Sequence, residues 1–361
     1  MPGEFLIARH DGGGRGLLGL GNAERAGRML AAAGMTVAKA PGGDSSLVLY
    51  PAEAVGPAGV GLEVAAAIPP PDGVLALTVP DGRPILVAGA LARASLLGAE
   101  ANPDRAWDLA RGSVSEERPL ASPAVAVVDD RSRRAARRLL LRSLRKPVDG
   151  VVSRTLNRPV SLAISSVLVW TPLTPNVLTV LTFLTAVAAS ALMASTHFMA
   201  GAVVMQFASI LDGCDGEVAR LRYRSSKLGS WLDTVFDDVS NIVFLVATGY
   251  GLRVAYGEGW GTVFLWMGVA TGVFALIVLV QTYRRLLSGR VRDSGSLEWS
   301  ADPDSDPFRR FLAKYLIHFV KRDTFYLCFL VAALAGLPWL IVVWSVVGGG
   351  LAALTTLGRQ R

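Results

Sequence analysis

The chain has 361 residues, a formal net charge of +7 and only two cysteines. This length admits two domains, and two isolated cysteines exclude both a disulfide framework and a paired-thiolate metal site. The positive charge does not point to nucleic acid, because the basic residues cluster beside apolar runs, where anionic headgroups and the positive-inside bias account for them. The mean hydropathy of +0.43 hides an asymmetry: residues before about Val160 are rich in Gly, Ala, Pro and Arg, and long apolar runs begin at about Val177.

Residues 1–130 read as an α/β head. A helix is expected over Ala23–Gly34, and short strands over Ser46–Tyr50, Val74–Val79, Ile85–Val87 and Ala124–Val128. Met1–Ala8 lacks a charged segment followed by a long apolar stretch, so no cleaved signal peptide is expected and the head is placed in the cytoplasm. Asp11–Gly16 (DGGGRG) could turn backbone N–H groups towards an anion, but it has neither the Walker lysine nor GxGxxG spacing and reads as a flexible turn. Residues 131–173 form a basic juxtamembrane linker. Arg131–Lys146 interleaves seven arginines with leucines as an amphipathic helix that Pro147 ends, and Val151–Trp170 offers a second amphipathic stretch for the interface.

From residue 174 to 361 the pattern is that of a six-helix transmembrane bundle, with runs at about Pro175–Ser195, Met199–Arg220, Leu228–Leu252, Gly261–Tyr283, Thr324–Ala335 and Pro338–Leu357. Three connections carry no Lys or Arg except Arg253. The others carry Arg222, Arg224 and Lys227, then Arg284, Arg285, Arg290 and Arg292, then Lys321 and Arg322. Six spans with both termini in the cytoplasm satisfy the positive-inside rule and place the protein in the cytoplasmic membrane.

The second run ends in Asp212-Gly-Cys-Asp215-Gly216-Glu-Val-Ala219-Arg220, and the third begins Gly229-Ser-Trp-Leu-Asp233-Thr-Val-Phe-Asp237-Asp238. An unpaired carboxylate in a transmembrane helix costs about 2.5 to 3.5 kcal/mol, so this density of charge needs a compensating cation. Asp212 and Asp215 are three residues apart and Asp233 and Asp237 four, so each pair occupies one helical face. The short connection Leu221–Leu228 brings the two faces together near the cytoplasmic end. Oxygen-only ligands select Mg²⁺ or Mn²⁺. Gly216, Ala219 and Gly229 are small enough to leave room for a nucleotide, and Arg220 can offer a forked guanidinium to a diphosphate.

From Asp212 to Asp237 the residues spell D-x2-D-G-x2-A-R-x8-G-x3-D-x3-D, which resembles the signature of the CDP-alcohol phosphotransferases. The resemblance implies metal ligands at Asp212, Asp215 and Asp233, with Asp237 as the base at the same metal site. It also implies two ions, CDP contacts from Asp215, Gly216, Ala219, Arg220 and Gly229, and a homodimer. Lys146-Pro-Val-Asp-Gly150, Ser153-Arg154, Asn157-Arg158 and Thr174-Pro-Asn176 look like the bifunctional inositol-phosphate cytidylyltransferase and di-inositol-phosphate phosphate synthases. That likeness implies a CDP-alcohol donor, a polyol-phosphate acceptor such as inositol phosphate, release of CMP, and a part in phospholipid biosynthesis. Arg154 and Arg158, four residues apart, are the preferred pair for an acceptor phosphate.

The head departs from its counterpart. Asp11–Arg15 is the nearest match to a Gly-rich nucleotide loop, no lysine precedes Lys39, and only Asp81 follows the strand Val74–Val79. A degenerate, inactive nucleotidyltransferase-like head is therefore expected. The alternatives are a divalent-cation transporter, since intramembrane carboxylates mark ion pathways, or a bifunctional enzyme with an active head.

Overall fold

A computed structural model describes residues 4–8, 17–37, 46–70, 72–80, 82–89, 103–145, 149–287 and 322–357. Asp11–Gly16, Lys39, Asp81, Lys146, Arg290, Arg292 and Lys321 lie outside the described residues, as do His10 and His318. The chain divides into two compact units. One comprises residues 1–146 with 165–173 and 217–225, the other residues 147–164, 174–216 and 226–361.

In the first unit, strands β1 (Glu4–Ala8), β2 (Thr36–Val37), β3 (Leu47–Pro51), β5 (Val74–Thr78), β6 (Ile85–Ala88) and β7 (Val114–Pro119) form one sheet in the order β2-β1-β3-β6-β5-β7. Only β6 runs against the others within this sheet. The two-residue strands β4 (Ala54–Val55) and β8 (Val125–Ala126) pair separately. Period-two alternation divides the apolar side chains between the two faces of the sheet. Val48, Tyr50, Leu75, Leu77, Ile85 and Val87 pack with Met29 and Leu30 of α1 (Asn22–Ala32) and with Val60 and Val64 of α2 (Ala58–Ala66). Leu47, Leu49, Val74, Ala76 and Leu86 pack with Ala106, Trp107 and Ala110 of α3 (Pro103–Gly112). Burial on both faces explains the continuous apolar strands.

The expected strands are all present, but β1, β2, β4, β7, α2 and α3 add to the sequence reading. β7 (VSEERP) is mostly exposed and charged, as suits an edge strand, and so resembles a loop in sequence. α2 carries two glycines, which weaken the helical signal. The basic helix is α4 (Asp130–Ser143), started by a capping box in which the Asp129 side chain accepts from Ser132 N.

Two arginines tie the later segments into this unit. Arg25 is 2% exposed; its Nη1 donates to Leu221 O at 3.1 Å, and its Nη2 donates to Leu17 O and to Leu18 O. Its guanidinium lies 5.9 Å from the centroid of the Tyr223 ring. Burial pushes the Arg25 pKa down and the Tyr223 pKa up, each partly offset by the other. Tyr223 adopts φ 51°, and its hydroxyl donates to Gly56 O at 2.7 Å. Arg222 donates to Leu168 O, Val169 O, Thr171 O and Leu173 O, at and just beyond the end of α5 (Arg158–Leu168). It therefore satisfies carbonyls that a helix C-terminus leaves without partners. The sequence pattern makes Arg222 a positive-inside charge, whereas its buried fork has a structural duty.

In the second unit, α5 is entered through a π-helical turn at Ser153–Asn157. Helices α6 (Pro175–Ala194), α7 (Phe198–Leu221), α8 (Lys227–Tyr256), α9 (Thr262–Leu287), α10 (Arg322–Leu334) and α11 (Trp339–Leu357) follow, within a few residues of the six apolar runs. Among the described residues, three stretches are long and apolar enough to cross a membrane: Pro175–Ala194, Phe198–Leu221 and Leu228–Gln281. The last has 54 residues and is a hairpin of α8 and α9 joined by a π-turn at Gly257–Gly261. A Cβ at Gly249 would meet Phe264 O at 2.9 Å and one at Gly268 would meet Leu245 O at 2.7 Å, so small residues let the two backbones touch. Ala189 and Met193 of α6, Ala202 and Met205 of α7, Phe244 of α8, Phe329 of α10 and Ile341 of α11 share one buried cluster.

Replacing Arg25 by Met is expected to lower the stability of the first unit by about 3 kcal/mol, because buried carbonyls lose charge-assisted donors. Thermal denaturation of the full chain in detergent would show it as a lower transition temperature for that unit.

Candidate active site

The site lies within the second unit and is built on α6, α7 and α8. Thr174 caps α6, accepting from Val177 N, with Pro175 in the first turn. Ser226 caps α8, accepting from Gly229 N at 3.0 Å, so the helix is started about two turns before Asp233. Gly229 is small for a steric reason: a Cβ there would come within 2.9 Å of Asn176 Oδ1. Between Asp233 and Asp237, Phe236 stacks on Phe183 of α6 with ring centroids 4.5 Å apart, which fixes the rotation of α8.

Asp212, Asp233 and Asp237 each offer a carboxylate oxygen, and these atoms lie within 4.8 Å of one another. All three are half-buried and line a cavity of about 330 Å³. Three close carboxylate oxygens fit a hard divalent cation. Asp215, the remaining expected metal ligand, is 6% exposed and has other partners, accepting from the Thr179 hydroxyl and from Gly216 N. It still neighbours Asp233 and Asp237. Of the expected nucleotide contacts, Ala219 is buried and Arg220 half-buried in the last turn of α7, within the segment 217–225.

Arg154 and Arg158 are not brought together. Arg154 is exposed, whereas Arg158 is buried and its fork is taken up by Asp149, with Nε donating to Oδ2 at 2.9 Å and Nη2 to Oδ1 at 3.1 Å. Arg158 and Asp149 both line the cavity, together with Asn157, Ser209, Thr179 and Asp323. Sequence reasoning assigned no role to Asp149, Thr179, Ser209 or Asp323. A carboxylate at the start of an apolar run was the available signal for Asp323, and a hydroxyl one turn into α6 for Thr179.

Residues 172–351 match the CDP-alcohol phosphatidyltransferase family. The chain carries a CDP-alcohol phosphatidyltransferase domain. All three clustered aspartates fall inside it. The bifunctional IPC transferase and DIPP synthase of Aquifex aeolicus is 45% identical over 122 residues, covering 34% of this chain and 28% of that protein. The protein of the same name from Thermococcus kodakarensis is 43% identical over 116 residues, covering 32% and 26%. The archaetidylinositol phosphate synthase of Methanothermobacter thermautotrophicus is 36% identical over 69 residues, covering 19% and 35%. Each match therefore spans only about a quarter to a third of these curated relatives.

If the phosphatidyltransferase domain holds its metal on the three clustered carboxylates, Asp212→Asn, Asp233→Asn and Asp237→Asn will each weaken Mn²⁺ binding by more than about tenfold. Asp323→Asn, outside the cluster, will change it by less than about threefold. Electron paramagnetic resonance titration of the full chain in detergent reads both values.

Proposed function

We propose that the protein is an integral membrane enzyme that transfers a phosphoalcohol group from a CDP-alcohol to a hydroxyl of a polyol-phosphate acceptor, such as inositol phosphate, and releases CMP. The observation that carries this reading is the convergence of Asp212, Asp233 and Asp237 on one cavity inside a CDP-alcohol phosphatidyltransferase domain. The names of the relatives, IPC transferase, DIPP synthase and archaetidylinositol phosphate synthase, support an inositol-phosphate partner.

In this reading Asp212, Asp233 and Asp237 hold Mg²⁺ or Mn²⁺, with Asp215 beside them and two ions in the full site. Bound metal would neutralise the donor diphosphate and the charge that develops on leaving CMP. Gly216, Ala219, Arg220 and Gly229 bind the CDP moiety. Asp237 accepts the proton of the acceptor hydroxyl as its oxygen attacks the β-phosphorus. The new O–P bond forms while the bond from that phosphorus to the bridging oxygen breaks, its electron pair leaving with CMP. Arg158, held by Asp149 on the cavity wall, is the nearest basic group for an acceptor phosphate among those expected, and Arg154 would serve at the exposed approach.

The wider arrangement follows from charge. Six spans with both termini and the active site on the cytoplasmic side keep the basic connections inside. The head is a degenerate nucleotidyltransferase-like domain, and the protein acts as a homodimer in phospholipid biosynthesis.

Purified protein with Mg²⁺ should release CMP when CDP-diacylglycerol and CDP-inositol are offered separately against inositol, inositol phosphate and glycerol phosphate. No CMP from any combination would overturn the assignment. Asp237→Asn is expected to reduce turnover by about 10² to 10⁴, with donor affinity within about threefold of the parent. Near-normal turnover would remove Asp237 from the mechanism.

A further inference from the structure

The cavity that holds the aspartate cluster has a second polar wall. Asn157 is 4% exposed and sits at the end of the π-turn Ser153–Asn157, a local irregularity frequent at functional sites. Its Nδ2 donates to Ser209 Oγ at 3.4 Å and to Asp323 Oδ1 at 3.3 Å, and Ser209 Oγ donates to the same Asp323 oxygen at 3.4 Å. Gln206, 6% exposed, donates from Nε2 to Asn157 Oδ1 at 3.0 Å and so holds the amide with its donor side towards Ser209 and Asp323. The Gln206 Oε1 atom is buried with no hydrogen-bond partner. Tyr326, whose hydroxyl donates to Asn241, extends the lining.

These groups come from the π-turn, α7 and α10, in surroundings that otherwise favour apolar packing. Polar side chains within apolar helices are expensive unless satisfied, and the three bonds to Ser209 and Asp323 are long compared with the usual 2.7 to 3.0 Å. A purely structural network gains by shortening such bonds. Asn157, Ser209 and Asp323 all line the cavity, so a ligand there could offer hydroxyls to all three. Among the described side chains, Asn157, Ser209 and Asp323 offer carboxamide, hydroxyl and carboxylate groups, and a carboxylate disfavours a phosphate at that point, whereas Arg158 is the cation elsewhere on the lining. The wall is too polar for an acyl chain. Asp323 is also not among the carboxylates grouped for a metal among the described residues.

We infer that Asn157, Ser209 and Asp323, with Gln206 orienting Asn157, form a recognition wall for the vicinal hydroxyls of a neutral polyol ring. The inference rests on the transferase reading for the reaction that follows binding, and deepens it by separating hydroxyl recognition from phosphate recognition. The ring can belong to the acceptor or to the alcohol of the CDP-linked donor.

Ser209→Ala removes the hydroxyl that accepts from Asn157 and donates to Asp323, and Asp323→Asn removes the carboxylate charge, each with little change in shape. CMP release is to be measured for both, varying inositol phosphate, CDP-inositol and an inositol phosphate lacking one ring hydroxyl. A rise of about tenfold in KM for one polyol partner, with kcat nearly unchanged and less discrimination against the deoxy analogue, is expected. A shift confined to inositol phosphate makes the ring the acceptor's; one confined to CDP-inositol makes it the donor's. A fall in kcat with every KM and the selectivity unchanged would leave the wall a structural network and overturn the inference. Equilibrium binding of radiolabelled inositol phosphate and of CDP-inositol, without turnover, separates the two readings. Absence of CMP from the parent protein would sink the transferase reading alone, and equal binding of both ligands by parent and variants would sink the polyol wall.

Discussion

The whole second unit is arranged around an unfavourable contact: carboxylate oxygens of Asp212, Asp233 and Asp237 within 4.8 Å of one another on apolar helices. At an effective dielectric constant of 20, two such charges repel by roughly 3 kcal/mol, and their partial removal from water adds to that. Packing between the helices contributes to holding them against this repulsion. The Phe183–Phe236 stack, the Ser226 cap and the shared apolar cluster of α6, α7, α8, α10 and α11 act in that direction. A divalent ion would convert the same geometry from a strain on the fold into a source of stability, so metal binding and the order of the bundle should be linked.

How much of this was legible in the sequence differs with the physics behind each feature. Hydropathy runs depend only on composition over about 20 residues, and the six apolar helices emerge within a few residues of where they were read. The aspartate pairs were legible because helical periodicity fixes faces and the short α7–α8 connection limits how those faces meet. Spacing in sequence says nothing about a competing partner: Asp149, nine residues away, takes the Arg158 fork, while Arg154 is exposed. β7 and α2 were missed for local reasons, an exposed charged edge in one and two glycines in the other.

Arginines illustrate the limit most clearly. The sequence reading counts Arg222 among the basic connections, pairs Arg158 with Arg154 and gives Arg25 no role, yet all three are buried, with 8%, 9% and 2% exposure. Each uses the planar fork of guanidinium to satisfy several oxygens at once, which a lysine cannot do. Arg222 serves carbonyls at a helix end, Arg25 serves carbonyls of two chain segments, and Arg158 serves a carboxylate. Charge pattern locates such residues near a membrane surface but cannot separate those that face solvent from those that complete a backbone.

The segment 217–225 carries this point into the chemistry. It belongs to the first unit, where Leu221 O accepts from Arg25 and the Tyr223 hydroxyl donates to Gly56 O. Along the chain it lies directly between Asp212–Gly216 and Gly229–Asp237, the two stretches whose aspartates must converge. Tyr223 sits at positive φ, and its bond to Gly56 O restricts the conformations open to residues 217–225 themselves. The restraint needs only the buried arginine and the tyrosine hydroxyl, not a nucleotide site.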